Sequence, residues 1–115
     1  MAMPLADEVS IIGPVLQAIL GVKRVTSDWP EAWKNLPSIT INEASNLPAV
    51  QYGDREHITE LEYYIRVWSR TGAEKAVIAS LVDDAMTGLG YERTMAYDDD
   101  NADVRQKAMR YRKYL

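Results

Sequence analysis

Polar and apolar positions alternate most regularly between His57 and Ser69. Thr59, Leu61, Tyr63, Ile65 and Val67 fall on one face of an extended chain, and Glu60, Glu62, Tyr64, Arg66 and Trp68 on the other. β-Branched and aromatic residues crowd the second half of this stretch, which predicts a strand with one face for a core and one for water or a partner. Ser69-Arg70-Thr71-Gly72 interrupts the alternation, and the period then changes to threes and fours. Ala73 to Leu89 reads as a helix, with Val77, Leu81 and Ala85 as its apolar stripe and small alanines that let it lie close on a sheet.

The rest of the chain supplies shorter elements. Val9, Ile12, Leu16, Ile19 and Leu20 form the apolar set of a first helix that Asp7 or Ser10 can cap and Gly21 closes. Gly13-Pro14 interrupts it, so the segment is either a kinked helix or a turn leading into a helix with Pro14 at its first position. Lys23 to Pro37 reads as a connection, its Trp29 and Trp33 either packing it onto the sheet or anchoring a partner. Ser38 to Asn42 alternates as a short strand with Ile39 and Ile41 on one face. Glu43 to Pro48 reads as a turn, Ala49 to Tyr52 as a second short strand, and Gly53-Asp54 as another turn. After the Gly88-Leu89-Gly90 stop, Tyr91 to Tyr97 alternates as a strand, Asp98 to Asp103 is a loop, and Val104 to Tyr114 returns as a final strand with Met109 and Tyr111 facing the core. The order α-β-β-β-α-β-β predicts a single α+β domain over residues 1–115, with a largely antiparallel sheet and two main helices packed on one face.

Composition narrows the classes. Apolar residues make up 47% of 115 and charged residues 26%, an ordinary globular balance, and no apolar run is long enough to span a bilayer. Leu5 to Leu20 lacks the basic start and cleavage site of a signal peptide, so a protein made and folded in the cytosol is expected. With no cysteine, disulfides, thiolate zinc sites and cysteine nucleophiles are excluded. Residues 1–104 carry a net charge of −9, whereas Arg105, Lys107, Arg110, Arg112 and Lys113 give the last eleven residues +5. An acidic body argues against nucleic-acid binding as the principal task. The basic tail is either the solvated face of an edge strand or a patch that pairs with a neighbouring subunit.

Catalytic chemistry finds little footing. The single histidine, His57, sits beside Glu56 at the start of a strand, and phosphate loops, nucleophile elbows and paired-histidine metal motifs are absent from the sequence. Asp99, Asn101 and Asp103 have the first spacings of a calcium loop, but Val104 stands where glycine is needed and Arg110 where a glutamate belongs. No catalytic, cofactor or metal residues are therefore assigned. The candidate subunit or partner surface is Tyr64, Arg66 and Trp68 on the long strand together with Arg105, Lys107, Arg110 and Arg112 on the last one.

A pattern then emerges along nearly the whole chain. A short helix, Leu36-Pro37-Ser38-Ile39-Thr40-Ile41, Tyr64-Ile65-Arg66-Val67-Trp68-Ser69, an alanine-rich helix, Gly90-Tyr91-Glu92-Arg93, an acidic loop and a basic strand through Arg110-Tyr111 follow one another. This succession resembles the tail-completion or tail-terminator proteins of long-tailed bacteriophages, departing from them in the Trp29/Trp33 stretch and the Gly13-Pro14 break. The resemblance implies a non-enzymatic virion protein, encoded by a phage or prophage, that forms a ring, usually a hexamer, at the head-proximal end of the tail. Its implied partners are copies of itself, the tail tube protein and the head connector or stopper, with neither membrane nor sequence-specific nucleic acid. A ring needs heterologous contacts, which an acidic body and a basic last strand can supply. A neck connector or minor tail protein is the alternative within the virion. From another class, the alternative is a small ligand-binding or enzymatic α+β domain.

Overall fold

The alternating stretch is the middle of the sheet. In the computed structural model, which describes residues 8–52, 56–101 and 103–114 and, within them, no side chains from 45 to 59, this strand is β3 (Glu56–Ser69). It pairs antiparallel with β2 (Ser38–Tyr52) on one side and with β5 (Arg105–Tyr114) on the other. The short β1 (Arg24–Thr26) adds to β2 in parallel, and β4 (Glu92–Asp98) adds antiparallel to β5. The five strands thus run in the order β1-β2-β3-β5-β4. The fold is α+β, with three helices and a mixed, mostly antiparallel sheet.

Leu61, Tyr63, Ile65 and Val67 of β3 are all fully buried, as the alternation predicts. They form the core with Ile39 and Ile41 of β2, Met109 and Tyr111 of β5, and the helices α1 (Val9–Gln17) and α3 (Gly72–Gly88) on the same face. Both main helices therefore cover one face. Thr71 caps α3 by accepting from the Glu74 N–H at 3.2 Å. Gly90, at φ 91°, closes it: the Tyr91 N–H reaches the Met86 carbonyl and the Gly90 N–H the Thr87 carbonyl, each at 3.0 Å. The buried Tyr91 ring then crosses Tyr63 edge to face at 6.1 Å.

Several expectations are corrected. The buried face of α3 carries Lys75, Ile78, Ala79, Val82 and Met86, whereas Val77 and Leu81 of the expected stripe are 61% and 40% exposed. Two i, i+4 ladders lie one residue apart, and the bulkier one fills the core. Glu43 to Pro48 is not a turn: β2 runs unbroken through it, with register shifts between Glu43 and Ser45 and between Pro48 and Val50 that bend the strand. The Lys23–Pro37 connection contains β1 and a six-residue helix α2 (Trp29–Lys34), with Asp28 at its N-cap and Pro30 in its first turn. Pro14 lies inside α1, whose N-cap is Glu8 rather than Ser10; the helix ends at Gln17 with Ala18 as its C-cap, before Leu20 and Gly21, and Leu20 is 90% exposed. The expectations for Asp7 and for the Gly53-Asp54 turn lie outside the described residues. Finally, β5 is an inner strand, and β4, exposed along its whole length, is the edge.

Candidate functional site

Strand parity decides what the second face of the sheet carries. Tyr64, Arg66 and Trp68 of β3 stand opposite Arg110, Ala108 and Gln106 of β5, with Glu62 opposite Arg112. Beyond β5, the edge strand adds Tyr97 opposite Ala108, Met95 opposite Arg110 and Glu92 opposite Arg112. Five of the seven residues expected at an interaction surface therefore share this face. Arg105 and Lys107, odd-numbered on the same strand, point to the α3 face, where they pair with Asp100 at 3.5 Å and Asp98 at 3.6 Å.

At one end α2 covers the face. Ser38 donates its hydroxyl to the Ala32 carbonyl at 2.7 Å, and Ala32, Leu36 and Trp68 form a small second core with Val104. Trp68 is only 3% exposed, its indole N–H donating to Thr40 Oγ1 at 3.0 Å. It is not itself at the surface. Trp29 and Trp33 cross its ring at 5.2 and 5.8 Å and remain 36% and 48% exposed, so they present the aromatic surface that Trp68 does not. Both roles considered for these two tryptophans are thus compatible with their positions.

Next to this cluster the face is open. The Arg66 guanidinium lies 4.7 Å from the Trp29 ring centre and 4.8 Å from that of Tyr64, and the Arg110 guanidinium lies 5.5 Å from the Tyr64 ring centre. Arg110 pairs with Glu62, whose hydrogen bond raises the guanidinium pKa further. Arg112 pairs with Glu92 at 3.2 Å and lies 5.4 Å from the Tyr114 ring. Met95, Tyr97 and Tyr114 are substantially exposed, at 38%, 42% and 51%. Arginine, tyrosine, tryptophan and methionine are the residues that protein interfaces favour over the rest of the surface. The strand parity of the last two strands contained this signal, but only the register joins it to β3.

The acidic loop has an internal purpose. Asp100 accepts from Lys75 Nζ at 3.0 and 3.2 Å and from the Gln106 N–H at 3.0 Å, while Asp98 meets the same ammonium at 3.0 Å. Burial lowers the Lys75 pKa, but the hydrogen bonds and charges of Asp98 and Asp100 outweigh it and leave the group raised. Asp100 is correspondingly lowered, first by its hydrogen bond from Lys75. Asn101 Oδ1, one of the calcium-spaced oxygens, accepts instead from the Asp103 and Val104 N–H groups at 2.9 and 2.8 Å. No group of three or more His, Cys, Asp or Glu side chains placed to hold a metal gathers among the described residues. The His57 backbone lies in β3, and its side chain is outside the description.

A polar groove separates α3 from β4 and β5, lined by Ser80, Asp83, Asp84, Arg93, Lys107 and Met109 among others. In it the Tyr111 hydroxyl donates to Asp83 at 2.8 Å and Arg93 pairs with the same carboxylate at 3.4 Å. Burial, reinforced by Asp83, pushes the Tyr111 hydroxyl well above the usual phenol range. Among the described residues no helix is long and apolar enough to cross a membrane. No protein-family model matches the chain, and no curated protein matches it in sequence.

Proposed function

We propose that this chain is a non-enzymatic assembly protein of a long-tailed phage, forming a ring at the head-proximal end of the tail that ends the tail tube and joins it to the head connector. The observation that carries the reading is the shape of the sheet. β5 stops at Tyr114, opposite Glu60 of β3, while β2 and β3 continue together to the Tyr52–Glu56 pair. Past the body they form a two-stranded arm, and the molecule measures 52 Å along its long axis against 24 and 22 Å across. Among the described residues no further strand pairs with this part of the ribbon, and backbone groups along such a ribbon can pair with a neighbour. Such an arm suits a subunit that must reach the next copy around a ring.

Charge contributes less than the sequence implies, because Arg105, Lys107, Arg110 and Arg112 all have carboxylate partners within the chain. The test is electron microscopy of the protein mixed with purified tail tubes. Rings capping one tube end support the reading, and bare tube ends with the protein free in solution overturn it. A second reading, a small-ligand domain, draws on the groove of Asp83, Asp84, Arg93 and Lys107. Saturable binding of a charged metabolite from a screening panel, lost in Asp83→Asn, would favour it over assembly.

A further inference from the structure

Among the described residues four arginines stand on the outer face of the sheet, and three have a carboxylate of their own chain: Arg24 pairs with Glu31 at 3.1 Å, Arg110 with Glu62, and Arg112 with Glu92 at 3.2 Å. Arg66 differs. No carboxylate among the described residues comes within ion-pair distance of it, and its guanidinium is held by the rings of Trp29 and Tyr64. The two rings flank the guanidinium without using its N–H groups as a carboxylate would, which leaves the fork for a carboxylate from outside.

The complementary group lies at the other end of the aromatic cluster. Asp103 borders a shallow groove with Trp33, Asn101 and Val104. Its carboxylate is exposed and has no ion pair among the described residues, while Asn101 holds its backbone in place. Between the two ends run Trp33, Trp68 and Trp29, each ring edge on to the next. The strip therefore reads acid, tryptophans, base. We propose that it docks a second copy of this chain, turned by half a turn, so that Arg66 of each copy takes Asp103 of the other while Trp29 and Trp33 pack at the centre. A two-fold contact requires this reciprocity, each residue meeting the partner of its own counterpart. Exposed tryptophans at the centre with charges at the rim is also the arrangement that concentrates interface energy. The contact is independent of the ring reading, since it uses one sheet face and leaves the β2–β3 arm and both edges free.

Sedimentation velocity of the full chain over a concentration series tests it. The wild type dimerises, Arg66→Glu raises the dimer Kd at least tenfold, and Asp103→Arg on the exposed loop does the same. Combining the two in one chain restores the dimer, because each reversed charge meets the other across the two-fold axis. Near-ultraviolet circular dichroism verifies that each variant is folded. A wild type that stays monomeric throughout overturns the proposal, as do single variants that dimerise normally or a combination that fails to recover. Rings on tail tubes formed by a protein that never dimerises alone would overturn this contact and leave the assembly reading standing.

Discussion

Lys75 sits in an environment at odds with its chemistry: a lysine only 7% exposed, its ammonium held by Asp98 at the end of β4 and by Asp100 on the loop that follows. Its raised pKa means that its contribution to stability is complete below the usual lysine value of 10.5 and is lost as pH rises through the higher native value. The lowered Asp100 pKa gives a contribution complete above the usual 3.8 and lost as pH falls through the native value. Lys75→Met removes both. The stability difference between wild type and this variant, read from urea midpoints, should therefore be constant across the neutral range and shrink below about pH 4 and above about pH 10.5. A difference that stays the same at pH 3 would show that the lysine holds the loop by packing alone. The acidic run was legible in the sequence as a loop, but its partner was not, because Lys75 precedes Asp100 by twenty-five residues and meets it only through the packing of α3.

At the scale of elements, α3 shows where periodicity stops being decisive. Val77-Leu81-Ala85 and Ile78-Val82-Met86 satisfy the same spacing, and the sheet accepts the second. Met86→Ala should cost about 2–5 kcal/mol by leaving a cavity, whereas Val77→Ser should stay within about 0.5 kcal/mol, both measured by denaturant unfolding. Equal losses would return Val77 to the core. At the end of the same helix, Gly90→Ala places a Cβ at ordinary contact distance, 3.5 Å, from Lys113 Cε, so its cost lies in the left-handed backbone and should be about 1 kcal/mol. The strand β3, the existence of α3 and, to within one residue at each end, the limits of β4 and β5 were legible because long alternation and a glycine stop are local signals. Neither β1, three residues long, nor α2, six, carries enough period to be seen, although Asp28, Pro30 and Glu31 together form a helix start. Parity alone separates Arg105 and Lys107 from Arg110 and Arg112, which the run of basic residues joins.

For the whole molecule, the contrast between an acidic body and a basic last strand dissolves into internal pairs once β5 lies between β3 and β4, a neighbourhood that charge counts cannot reveal. What the assembled sheet leaves free instead is the arm. Asn46 pairs with Leu61, so residues 47–60 can be replaced by an Asn-Gly turn that joins the two strands at the end of the body. If the arm serves assembly, the shortened protein should keep its thermal transition within a few degrees and lose its place on tail tubes, both as rings in micrographs and as co-sedimenting protein. The arm's free backbone edges give the physical reason, since strand addition draws affinity from main-chain hydrogen bonds that no surface side chain replaces. A shortened protein that still caps tubes would move the ring contact to the body, where β4, exposed along its length, is the longer of the two edge strands among the described residues. A shortened protein that unfolds would instead show that the arm completes the sheet, because the bends at Ala44 and Ala49 would then be part of how β2 closes over the core.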